Sequence, residues 1–136
     1  EEGIIDPLDL AFSQLTCGPK FRDGTNRKNS ASVLDLAKEL FRGEVRVEKI
    51  EVLEIFWFRH RFYTLGNRRL AAFRLWRLAA GSNVMIPVKA VSRERALERE
   101  WLEKFTTGFT GGRHIRISGT NKYVGCTRQQ STYWEE

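Results

Sequence analysis

The stretch Gly66-Asn67-Arg68-Arg69-Leu70-Ala71-Ala72-Phe73-Arg74-Leu75-Trp76-Arg77-Leu78-Ala79-Ala80-Gly81 decides how this chain is read. Asn67 is a good helix N-cap and Gly81 a good terminator, so the spacing predicts a helix from Arg68 to Ala80. At about 100° per residue, Arg74 and Arg77 share one narrow outward stripe with Leu70. Nearly everything else on the cylinder is apolar, and such a helix must be largely buried. Arg68 and Arg69 lie off that stripe. Arg68 projects with Ala72, Leu75 and Ala79, and Arg69 with Phe73 and Trp76. Charges aimed at apolar faces need a partner, because burying an unpaired one is costly. An internal carboxylate is one solution. A ligand phosphate is the other, since free N–H groups and the positive helix end face it and arginine matches its oxygens bidentately. Gly66, Asn67, Arg68 and Arg69 are therefore read as a phosphate-binding turn.

Upstream, Phe62-Tyr63-Thr64-Leu65 reads as a strand returning from Ile50 to Phe58 through the short connection Arg59-His60-Arg61. The pair is a hairpin without the Asn-Gly signature of the tightest turns. Phe56-Trp57-Phe58 could stack on bases, but three aromatics in a strand are more often core. Val45-Arg46-Val47 reads as a short extended run. Earlier still, Ser32-Val33-Leu34-Asp35 looks like a capped helix start, followed by Leu36, Ala37, Leu40 and Phe41 at helical spacing and closed by Gly43. The segment 1–29, punctuated by Pro7, Gly18, Pro19 and Gly24, reads as irregular. Downstream, Asn83 to Val91 is a strand in which Pro87 favours an edge or an end. Ser92 caps a charged helix running to about Lys104. Thr106 to Gly112 matches no P-loop and reads as a flexible connection. Arg113-His114-Ile115-Arg116-Ile117 alternates like a half-exposed strand. The expectation is an α+β class, with one small mixed sheet and a hairpin leading into a buried helix. All 136 residues form a single domain, with a core over 30–104 and a basic segment over 105–136.

The net charge of +6 matters because of where it lies. No Asp or Glu occurs from Ile55 to Arg93, a span holding Arg59, Arg61, Arg68, Arg69, Arg74, Arg77, Lys89 and Arg93. None occurs from Lys104 to Trp134, which holds Arg113, Arg116, Lys122 and Arg128. Segregation of this kind suggests a polyanionic partner, DNA or RNA, with a nucleoside triphosphate as the smaller alternative. No apolar run approaches about 20 residues, so no membrane partner is expected. The opening Glu1-Glu2-Gly3-Ile4-Ile5-Asp6 has no targeting pattern, and Cys17 and Cys126 lie outside any CxxC or Cys/His cluster. The expectation is an intracellular protein with reduced thiols and no zinc site.

The order of helix, glycine, strand, hairpin, Gly-x-Arg-Arg turn, helix and Ile86-Pro87-Val88 strand resembles the ParB/sulfiredoxin superfamily over about sixty residues. A narrower likeness spans most of the chain. Phe12-Ser13-Gln14, Phe21-Arg22-Asp23-Gly24, Tyr63 to Arg69 and Lys104-Phe105-Thr106-Thr107 resemble a branch of ParB-like proteins described as candidate nucleases. The resemblance implies that Gly66 to Arg69 holds nucleotide phosphates, with Mg²⁺ as the candidate companion of a nucleotide. It departs from sulfiredoxin at Asn67, where that family has a cysteine, which removes peroxiredoxin repair. It departs from chromosome-partitioning ParB as well, which has a glutamate there and a helix-turn-helix domain that has no room after Trp134.

Phosphoester cleavage needs charge stabilisation plus a base or a metal. Arg68 and Arg69 would supply the first. Asp23, in a glycine-containing loop that the resemblance also marks, and His60, between two arginines, are the catalytic candidates. An Asx-turn residue and an idle loop histidine are their alternatives. Gln14, Arg59, Arg61, Arg113 and Arg116 complete the expected anion surface, and no metal ligand set is visible. Three functions remain open: a nuclease or nucleotide phosphohydrolase, a non-catalytic module for nucleic acid or nucleotide, and a degenerate interaction domain. The scarcity of acids favours the second.

Overall fold

The central helix, α2 (Asn67–Ala80), buries Leu70, Ala71, Ala72, Phe73 and Leu75 completely or nearly so. Each such leucine or phenylalanine contributes about 2–3 kcal/mol by leaving water. The structure is a computed structural model that describes residues 1–19, 32–81 and 84–135. Helix α1 (Val33–Phe41) packs along α2 with Val33, Leu36, Ala37 and Leu40 buried. Its start is the expected capping box. Ser32 Oγ accepts from Asp35 N at 3.0 Å, and Asp35 Oδ2 accepts from Ser32 N at 3.3 Å. Gly43, at φ 74°, turns the chain out of the helix in a conformation that a side chain would strain.

Both helices cover one face of a four-stranded mixed sheet, ordered β1 (Glu2–Ile5), β5 (Ile86–Ala90), β3 (Leu53–Phe58), β4 (Arg61–Thr64). Leu53, Ile55, Ile86, Val88 and Thr64 point into that core. Alternation sends Phe56, Phe58 and Tyr63 to the opposite face. There they meet Trp101 and Phe105 in edge-on and stacked ring contacts 5.1–6.3 Å apart. The α+β class is thus as expected. Several elements differ from expectation, each for a physical reason.

The segment 1–29 is not irregular where it is described. β1 pairs antiparallel with β5, Ala11 bridges Tyr63 beyond β4, and β2 (Thr16–Cys17) joins β6 (Ile115–Ile117) and β7 (Tyr123–Val124) in a second, three-stranded sheet. Such short strands have little periodicity of their own. Pro87 lies in an interior strand, yet β5 meets β3 only from Val88 onwards, so the missing N–H falls where one side is unpaired. β3 begins at Leu53 and not at Ile50, because the carbonyls of Glu51 and Val52 are taken by Arg69; Val47–Lys49 is a 3-10 turn.

The hairpin closes in two residues, with Phe58 paired to Arg61 and both Arg59 (φ 48°) and His60 (φ 68°) left-handed. This is the tight geometry that Asn-Gly usually fills. The charged helix is two pieces, α3 (Arg93–Glu98) and α4 (Trp101–Lys104), broken at Glu100 (φ 60°), which swings Trp101 onto the sheet. The loop 106–112 is tied down at both ends. Thr106 N donates to Ser13 O, Thr106 Oγ1 accepts from Leu15 N, and buried Thr107 Oγ1 donates to Phe12 O at 2.7 Å. At Gly112 (φ 71°) a Cβ would lie 2.3 Å from Phe12 O, so only glycine fits.

Candidate anion site

β4 ends at Thr64, whose Oγ1 accepts from Gly66 N at 2.9 Å and so fixes the turn. Gly66 leaves room for its neighbours: a Cβ would meet Leu53 Cδ1 at 2.9 Å and Arg69 Nη2 at 3.1 Å, and those side chains would have to shift. The helix starts one residue earlier than expected, with Gly66 as N-cap and its carbonyl accepting from Leu70 N. No side chain caps this end and no acid lies in its first turn, so its leading N–H groups keep their partial positive charge.

Asn67 does not cap the helix, which corrects the role expected of it. Its Oδ1 accepts from Ser13 N (2.9 Å) and Gln14 N (3.3 Å), and its Nδ2 donates to Ser13 Oγ (3.0 Å) and Gln14 Oε1 (3.2 Å). Phe12-Ser13-Gln14 and Asn67, both singled out in the sequence, are thus brought into contact across more than fifty residues. Gln14 holds Asn67 through its side-chain carbonyl, and Asn67 can offer a ligand only its backbone.

The two arginines separate. Arg69 is satisfied internally. Its Nη1 donates to Glu51 O (2.8 Å) and Val52 O (3.2 Å) and lies 3.5 Å from Glu51 Oε1. Burial lowers its pKa, opposed by Glu51. The Glu51 carboxylate is 72% exposed, so that ion pair is weak and the carbonyls do most of the holding. Arg68 has no such partner among the described residues. Its Nε is buried without a hydrogen bond, and its guanidinium rests over Gly18, where a Cβ would lie 3.4 Å from Nε. Beside it, burial pushes the Cys17 thiol up to about 11, with Arg68 pulling the other way.

Three further arginines complete the picture. Arg74, assigned to an outward stripe, is 1% exposed. Its Nη1 donates to Arg113 O at 2.7 Å, its Nη2 donates to Leu10 O, and its guanidinium lies 4.5 Å from the Phe12 ring centre. Burial lowers its pKa to about 10, so it stays cationic at neutral pH. Sharing a stripe with Leu70 was the available hint. Arg77, on the same stripe, pairs through Nε with Asp6 at 3.0 and 3.1 Å. Arg99, from the α3–α4 break, bonds Glu54 and reaches Leu65 O at 3.4 Å, adding positive charge beside the turn. Nothing in the sequence marked it.

The remaining candidates disperse. His60 is exposed at the hairpin tip, six residues up an extended strand from Gly66, hence about 20 Å away. It cannot share a reacting atom with Arg68. Arg59 stacks over Phe58 at 5.0 Å, and Arg61 Nη1 donates to Gly111 O at 2.8 Å. Arg113 is exposed, and Arg116, opposite Thr16 in register, donates to Thr120 O at 3.2 Å. Asp23 lies outside the described residues. Among the described residues, no group of three or more His, Cys, Asp or Glu side chains could hold a metal ion, and no helix is long and apolar enough to cross a membrane.

The chain matches no protein-family model, no curated protein and no solved structure.

Proposed function

We propose that this chain is a ParB/sulfiredoxin-like domain that binds the phosphate groups of a nucleotide or nucleic acid at the first turn of α2, with Arg68 as the principal side-chain ligand. The observation that carries the reading is the buried Nε of Arg68, which has no partner among the described residues, beside a helix start with neither a side-chain cap nor an acid. A phosphate there would accept from the free N–H groups and from the terminal nitrogens of the guanidinium together, which satisfies the helix end and neutralises the Arg68 charge. Arg69 and Arg99 contribute field; their hydrogen bonds go to the protein. Binding is the function this geometry supports. Hydrolysis would need a base or a metal at the turn, and His60 is at the wrong end of β4 for the first.

Thermal unfolding with inorganic pyrophosphate, ATP or CTP tests this. Saturation at a hundred times Kd should add about 2.7 kcal/mol, a shift of several degrees in Tm. Arg68→Met should abolish the shift. Because Arg68 makes no hydrogen bond among the described residues, that variant should fold at least as well as the parent, by up to about 1 kcal/mol. An undiminished ligand shift in Arg68→Met would refute the assignment.

A further inference from the structure

The β3–β4 hairpin ends in Trp57-Phe58-Arg59-His60-Arg61-Phe62, and three independent features of that end point the same way. The first is conformational. Both tip residues are left-handed, a geometry that glycine and asparagine accept and that strains arginine and histidine. A turn chosen for stability alone would carry Asn-Gly. The second is electrostatic. Arg59 and Arg61 flank the tip, Arg113 follows the neighbouring loop, and no acid occurs from Ile55 to Arg93 or from Phe105 to Trp134. Among the described residues Arg61 uses only Nη1, on Gly111 O, and Arg59 makes only its ring contact, and both side chains are exposed.

The third is aromatic. Trp57 is 55% exposed, braced edge-on by Phe62 at 4.8 Å, and Phe109, two residues from the Gly111 that holds Arg61, is wholly exposed. Isolated exposed rings need no explanation. Two of them, one on the strained hairpin and one on the loop that Arg61 holds, together with Arg59 and Arg61 supply what single strands use: ring faces for bases and guanidinium groups for the backbone between them.

We propose that this hairpin end, with Trp57 and Phe109 as stacking platforms and Arg59 and Arg61 as phosphate contacts, binds single-stranded nucleic acid. It is a second surface, about 20 Å from the α2 turn, and does not depend on Arg68.

Fluorescence anisotropy with a labelled oligothymidylate of about 20 nucleotides, and with its oligouridylate counterpart, tests the proposal. The full chain should bind either or both, with an affinity that falls as salt rises. Trp57→Ala and Phe109→Ala should each weaken binding about fivefold or more, and Trp57→Phe should recover part of the loss. The decisive variant is Arg59→Asn combined with His60→Gly. It places the preferred pair in the turn, so its Tm should rise while its affinity falls, and lost binding cannot then be blamed on lost folding. Failure to bind either oligonucleotide would overturn the proposal, as would unchanged affinity in both alanine variants. Binding lost in Arg68→Met while the aromatic variants stay silent would place the polymer on the α2 turn and overturn it too. So would capture by phosphatidylserine vesicles in the absence of oligonucleotide binding.

Discussion

Asn67 makes four hydrogen bonds to Ser13 and Gln14, two of them from backbone N–H groups that otherwise have no acceptor there. Asn67→Ala should therefore cost about 2–4 kcal/mol in urea unfolding. Asn67→Asp keeps both acceptor bonds and gains from the helix end by about 0.3–1 kcal/mol. It should be clearly more stable than the alanine variant yet bind phosphate less well, since it adds a negative charge to the turn. Equal stability of the two variants would contradict the clasp. Cys17 offers a test of sign. Its thiol pKa rises from its ordinary 9.0 to about 11 on folding, so the folded state favours the protonated form. The resulting stability is full below about pH 9 and lost as pH climbs towards 11, on the order of 2 kcal/mol. Burial shifts Tyr133 the same way, so the measurement is the difference between the parent and Cys17→Ala. The parent should lose more stability than the variant between about pH 8 and pH 10.5, and parallel losses would refute it. At this scale the sequence was a partial guide. Arg68 and Arg69 look alike as neighbours in one turn, and only the carbonyls of Glu51 and Val52, far off in the chain, tell them apart.

Helices and strands with local signals were legible. The Ser32 capping box, the apolar cylinder of α2 and the alternation of β6 each carry their instruction within a few residues. Elements defined by distant partners were not. β1 and β2 are strands because β5 and β6 offer them open edges, and segment 11–15 is ordered by Tyr63, Asn67 and Thr106. The break between α3 and α4 has neither glycine nor proline to announce it; the left-handed Glu100 is held because Trp101 must reach Phe56 and Phe58. Glu100→Gly removes that backbone strain at the loss of one exposed ion pair to Lys104. It should stabilise the protein by up to about 1 kcal/mol, seen as a raised Tm. A lowered Tm would mean that the break is not strained.

Across the whole molecule, positive charge concentrates in two places joined by β4: the α2 turn with Arg68, Arg69 and Arg99, and the hairpin end with Arg59 and Arg61. Among the described residues acidic side chains temper only the first, where Glu54 bonds Arg95 and Arg99 and Glu51 meets Arg69. The acid-free spans made a basic surface legible from the sequence, but not its division, because β4 looks like one short run until its two ends are placed about 20 Å apart. The proposed phosphate site at one of these ends is the central claim, and backbone amide NMR during titration with inorganic pyrophosphate tests it most directly. Saturable shifts should concentrate at the amides of Asn67, Arg68 and Arg69, with a smaller response at Gly18, and should vanish in Arg68→Met. Shifts confined to Arg59, His60 and Gly111, or none at all, would contradict it.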